Sequence, residues 1–285
     1  MRVATTILRI RMVMLVVIGF SMAPCAAVAA NESRDFARLV DRYLIEVMGI
    51  ADLDAGAPPI QRGDAALKEM DAAGFRQRIE TLRTFLGLLQ DIDRERLEFD
   101  DSIDYRFLEG TLLSDLLVAE KVQRWRQDPR LYFNNGPIVY RISVDPRAPA
   151  ERAADLVGDL ALLQVRLRNA RANLDQYIPR WVELTHITLD GFRSVLVNDL
   201  AAFAERIEDD ALQSELVDEA RRAVDALNRF QAYLSEELPA LPLGDYRVGE
   251  EVFNGLQEHR HMFPENDINL RRIARGDQGF TRLPG

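Results

Sequence analysis

Three histidines, one cysteine and a large excess of carboxylates set the chemistry open to this chain. A hydrolytic zinc needs three nitrogen, sulfur or carboxylate ligands, an open position for water and usually a general base. The H-E-x-x-H sequence, which supplies two ligands and the base from one helix, is absent. The histidines are His186, His259 and His261, and two of them sit in shorter patterns. Glu183 with His186, and Glu258 with His261, each read E-x-x-H. That spacing puts both members of a pair on one helical face, and two such pairs with two further glutamates form the ligand set of di-iron carboxylate bundles. Against it, the second pair lies just before Pro264, near a helix end, and the sequence singles out no further glutamates. The other reading makes His186 a partly buried residue between Val182 and Leu189 with a hydrogen-bond partner. His259 and His261, two residues apart, then become surface side chains on opposite sides of a helix.

Other reaction types fare no better. Glycosidase-like chemistry needs two acids held about 5 to 9 Å apart, and 46 acidic residues nominate no pair. There is no glycine-rich phosphate loop and no G-x-S-x-G elbow. The expectation is no catalytic and no metal-binding residue in this chain, with the substrate-binding residues left unassigned.

Residues 1–30 read as a secretory signal. Arg2, Arg9 and Arg11 precede the apolar run Met12 to Met22, and small residues lead to cleavage near Ala29 or Ala30. The run is shorter than the about 20 residues a spanning helix needs, so no membrane span is expected after cleavage. Cys25 is the lone cysteine; lipid attachment there is the lesser reading, because Pro24 precedes it. Without Cys25 the mature chain would lack disulfides, thiol nucleophiles and thiolate metal sites. The formal charge is −10 and grows more negative once the leader's arginines are removed, which argues against nucleic acid as a partner.

Residues 31–285 must supply the elements that position any site, and their apolar spacing is helical. Leu156, Leu160, Leu163, Leu167, Ala170 and Leu174 form a two-in-seven seam after Pro146 and Pro149. Tyr105, Leu108, Leu112, Leu116 and Ala119 form another, with Asp101 as N-cap. Ile79, Leu82, Leu86 and Leu89 make a third. Helices from about Trp181 to Ile207 and Ala211 to Glu237 follow, the latter stopped by Pro239 and Pro242. Leu216 and Leu227 are expected in its core. No sustained period-two alternation occurs, so the fold class is all-α: a bundle of long amphipathic helices without a significant sheet. Ala51 to Gly63 reads as a loop. Asp128 to Pro137 places Tyr132 and Phe133 beside a tight turn, either as a pocket wall or as the plug of a bundle end.

These landmarks, in order, resemble the bacterial "domain of unknown function 885" family. They are Phe36 to Leu44, Phe75 to Leu89, Asp104-Tyr105-Arg106-Phe107-Leu108, Trp125 with Asp128-Pro129 and Tyr132, Ala170 to Leu174, Trp181-Val182-Glu183, and Gly244 to Phe253. The resemblance implies the helical first half of a presumed zincin-like peptidase, exported and acting on peptides. It also implies that zinc is bound in full-length relatives by a motif downstream of the Gly249 region. No family catalytic residue then falls on this chain, which is expected to be catalytically incomplete. The alternative is a stand-alone periplasmic helical binding or scaffold protein.

Overall fold

A computed structural model describes residues 23–50, 67–133 and 135–263, with side chains from residue 31 onward. Most of the expected signal and the expected Ala51 to Gly63 loop lie outside the described residues. Among those described, the regular elements are helical, and extended pairing is confined to an isolated parallel bridge between Tyr177 and Leu243. The fold is an all-α multi-helix bundle. Its helices are α1 (Ala23–Glu46), α2 (Ala72–Gln90), α3 (Phe99–Leu117), α4 (Gly136–Ser143), α5 (Pro149–Asn173), α6 (Pro179–Ser194), α7 (Leu200–Ala204), α8 (Asp210–Glu236) and α9 (Gly249–His259).

The chain divides into two compact units. The first contains α1, the part of α2 from Thr81, α3 as far as Leu116, and the chain from Gly255. Phe36, Leu39 and Tyr43 of α1, Leu82, Phe85 and Leu89 of α2 and Tyr105, Leu108, Leu112 and Leu116 of α3 are all buried. Tyr43 stands edge-on to Phe85 with ring centroids 5.6 Å apart, and Phe36 lies 6.1 Å from Tyr105. The α2 stripe differs from the expected one. Phe85 replaces Leu86 in the core, and Ile79 and Leu86 are half-buried. Asp101 is not an N-cap, because α3 starts at Phe99 and places Asp100 and Asp101 in its first turn. There they favour the positive end of the helix dipole.

The second unit runs through Asp64–Glu80 and Leu117–Asn254 and is organised by α5 against α8. Pro149 opens α5, where its missing N–H costs nothing. All six seam residues are buried and share a core with Leu216, Ala220, Ala223, Leu227, Phe230 and Leu234 of α8. Each fully buried leucine contributes about 1.5–3 kcal/mol. Asp209 caps α8, accepting from the backbone N–H groups of Ala211 and Leu212. The helix expected from Trp181 to Ile207 is interrupted: after α6, one π-helical turn, Val195–Asp199, precedes α7. Gly244 is needed where Tyr177 pairs with the strand-like segment, since a Cβ there would press on Ile178 and Gln176. Ion pairs among the described residues draw on arginine, and Lys121 with Glu251 at 3.6 Å is a lysine case.

Candidate functional site

The two E-x-x-H pairs lie in different compact units. Glu183 is exposed and held by Arg180 at 2.6 Å. His186, half-buried on α6, lies with Nε2 3.5 Å from Ser235 Oγ, while its buried Nδ1 has no hydrogen-bond partner. The expected partner is thus a distant hydroxyl on one ring nitrogen alone. Glu258 and His261 are exposed on the first unit, whereas Glu183 and His186 belong to the second. Among the described residues, no group of three His, Cys, Asp or Glu side chains is placed to hold a metal.

The irregular stretch after α3 resolves in favour of plugging. A π-helical turn, Val118–Val122, ends at Gln123, whose φ of 48° is left-handed, and two short 3-10 turns carry the chain to Tyr132. Tyr132 and Phe133 are buried, Phe133 edge-on to Phe192 at 5.1 Å. Tyr132 donates its hydroxyl to the Trp125 carbonyl and accepts from Asn173 at 3.0 Å. Burial pushes its phenol pKa up, outweighing the Asn173 hydrogen bond. Asp128, fully buried, accepts from Arg130 Nε at 2.8 Å and from Arg124 at 2.6 Å. Burial works to raise its pKa, but the two arginines hold the carboxyl below its ordinary value. Trp125 stacks on Phe75 at 5.2 Å. The buried atoms Trp125 Nε1, Gln127 Oε1 and Asp175 Oδ1 have no hydrogen-bond partner, and ordered water commonly meets such groups. Of the two readings of this stretch, the plug of a bundle end is the one the buried Tyr132 and Phe133 match.

A concave feature lies in the first unit, between α3 and the end of α9. It is a cleft of about 450 Å³ lined by Arg106, Glu109, Gly110, Leu113, Glu258, His259, Met262 and Phe263. Gly110 makes it possible. The His259 carbonyl sits where a Cβ at 110 would be, so α9 approaches the α3 backbone directly. Arg260 pins the approach through Asp115 at 2.7 Å. The end of α9 is closed by hydrogen bonds from His261 N to Leu256 O and from Phe263 N to Gln257 O, with Met262 left-handed at φ 50°. This is a Schellman-like stop, reinforced by Pro264 in the sequence. His259, expected at the surface, is half-buried and lines the cleft; His261 is exposed, as expected. Beside the cleft, burial and the Glu109 charge raise the pKa of Tyr105. Cations, carboxylates and apolar side chains thus face one space. Such a set suits binding by charge and contact; no nucleophile with an adjacent base is among them. Sequence reasoning missed the cleft, although an isolated glycine inside a helical pattern was its signal.

Comparison with known proteins agrees with the fold. No curated protein matches the chain in sequence. A solved structure from Shewanella oneidensis, described as a "putative lipoprotein of unknown function", is similar with a TM-score of 0.72 at 18% identity. The match covers 86% of this chain and 45% of that one, so the chain spans less than half the length of the structure it matches. At that identity the likeness concerns the fold. The family model "Bacterial protein of unknown function (DUF885)" matches residues 50–266, leaving Phe36 to Leu44 outside the matched region. The chain belongs to this family.

Proposed function

We propose that this member of the DUF885 family is an extracytoplasmic helical binding or scaffold protein that takes a peptide segment into the α3–α9 cleft and performs no chemistry on it. The lining of that cleft carries the reading. Arg106 suits a carboxylate, Glu109 and Glu258 suit an ammonium or guanidinium, and Leu113, Met262 and Phe263 suit an apolar side chain. A volume of about 450 Å³ falls within the ~300–1,000 Å³ usual for ligand clefts. The leader-like residues 1–30 support export, as does the description of the Shewanella protein. The described buried positions of α1 start at Phe36, so cleavage near Ala30 leaves them in the mature chain.

Fluorescence anisotropy with a library of labelled short peptides tests the binding reading. Arg106→Glu and Glu258→Arg, both at exposed positions, should each weaken the best binder at least tenfold without altering the melting curve. Wild-type affinity in both would remove the cleft from the account.

The second reading is the helical part of a presumed zinc-dependent peptidase, incomplete in this chain, which the family resemblance implies. Zinc analysis and a peptide-digestion assay on the purified chain separate it from an intact enzyme. Neither zinc nor hydrolysis is expected. One tightly held zinc per chain, with activity lost in His186→Ala or His261→Ala, would replace the binding reading with a catalytic one. Mass spectrometry of exported material should find an N-terminus at Ala30 or Asn31; a lipidated Cys25 would instead make it a membrane-anchored protein.

A further inference from the structure

Helix α3 carries two apolar faces. At 100° per residue, Tyr105, Leu108, Leu112 and Leu116 fall on one side, and Phe99, Ile103 and Phe107 fall on the opposite one. The first set is buried; Phe99, Ile103 and Phe107 are 78%, 51% and 65% exposed. Gly110 continues the outer face, and there α9 covers it. The end of α9 then runs beside α3 from Asp115 and Gly110 toward Arg106, where Met262 and Phe263 line the cleft with it. The last described residues, Met262 and Phe263, thus lie beside Arg106, next to the uncovered stretch.

We infer that residues 264–275 dock along the Phe99–Ile103–Phe107 face. Their sequence fits it in two ways. Ile268, Leu270 and Ile273 supply apolar side chains, and Arg271, Arg272 and Arg275 supply positive charge with no acid between Asp267 and Asp277. The face is bordered by Asp100 and Asp104, with Glu98 and Asp101 close by in sequence. Charge complementarity fixes register while apolar contact provides the attraction. The proposal concerns a face beside the cleft and stands whether or not a peptide binds there.

Disulfide trapping in the full chain, with Cys25→Ser so that no other thiol competes, tests it. Ile103→Cys is combined in turn with Ile268→Cys, Leu270→Cys and Ile273→Cys, since a disulfide needs Cα atoms about 4.4–6.8 Å apart. At least one pair should close within the chain under mild oxidation, at a rate independent of protein concentration. Asp100→Lys with Asp104→Lys should slow that closure at least fivefold. A disulfide formed only between chains, faster at higher concentration, would give the face to a second copy and overturn the proposal. So would the absence of any intrachain product at all three positions. A second measurement leaves the core untouched. Arg271→Glu with Arg272→Glu should raise the fluorescence of a dye that binds exposed apolar surface severalfold, and an unchanged signal counts against docking.

Discussion

In the second unit the leucines of α5 pack in one core with those of α8, and the whole seam is buried. In the first unit α3 also buries a leucine stripe, yet it turns two phenylalanines and an isoleucine the other way. The second unit has exposed apolar residues too, such as Ile187 at 64%, which falls on the opposite side of α6 from Leu189. Scattered apolar residues are ordinary on a protein surface, whereas contiguous exposed apolar patches often mark interaction sites. The same residue types thus serve stability in one region and availability in the other. The cleft lined by Arg106 adjoins that available face.

Four experiments can break or sharpen this contrast. The largest effect is expected at the seam: Leu163→Ala should cost about 2–5 kcal/mol in a denaturation experiment, because Leu163 is 3% exposed and belongs to the shared α5–α8 core. A loss below half a kcal/mol would mean that the α5–α8 packing is wrong. Next, Gly110→Ala should destabilise by about 1–3 kcal/mol. Alanine favours a helix by about 1 kcal/mol over glycine, so a stabilised variant would show that α9 does not press on α3.

Acid should act on the second unit through its buried carboxylates. Arg147 holds the Asp145 carboxyl at about 2, and Arg130 and Arg124 hold Asp128 below its ordinary value. Both titrate lower in the folded chain than in the unfolded one. Their contribution is therefore complete above about pH 4, the unfolded value, and is lost as pH falls through the folded values. The urea midpoint should drop between about pH 4 and 2, and Asp145→Asn should flatten the drop. The smallest effect is expected for Ile187→Ala, within about 0.5 kcal/mol by thermal melting; a larger loss would place α6 against something not yet accounted for.

How far these features could be read from sequence depends on how local their causes are. The α5 seam was legible because a two-in-seven spacing, bracketed by prolines, has one sensible packing partner, another helix. The Val195–Asp199 turn was not, since a π-turn adds one residue without changing composition, and Leu189, Leu196, Leu200 and Phe203 still read as one stripe. Tyr132 and Phe133 were noticed, but whether a loop aromatic lines a pocket or fills a core depends on Phe75, Asn173 and Phe192, far away in sequence. His259 was placed at the surface because it stands two residues from His261, on the opposite side of a helix; what draws it inward is a glycine about 150 residues earlier. The helical architecture was legible in the periodicity, and the family resemblance gave no site, because the metal motif it implies lies downstream of the Gly249 region.

The reliance on guanidinium groups has a practical side. Of 36 basic residues, Lys68 and Lys121 are the lysines. An amine-reactive cross-linker would find two side chains and the N-terminus, too few to report on either unit. Dicarbonyl reagents directed at arginine, or carbodiimides directed at carboxylates, would find the whole surface. A lysine-specific protease would leave everything from Val122 onward in one piece, including α4 through α9, so that a complete digest returns most of the second unit as a single fragment.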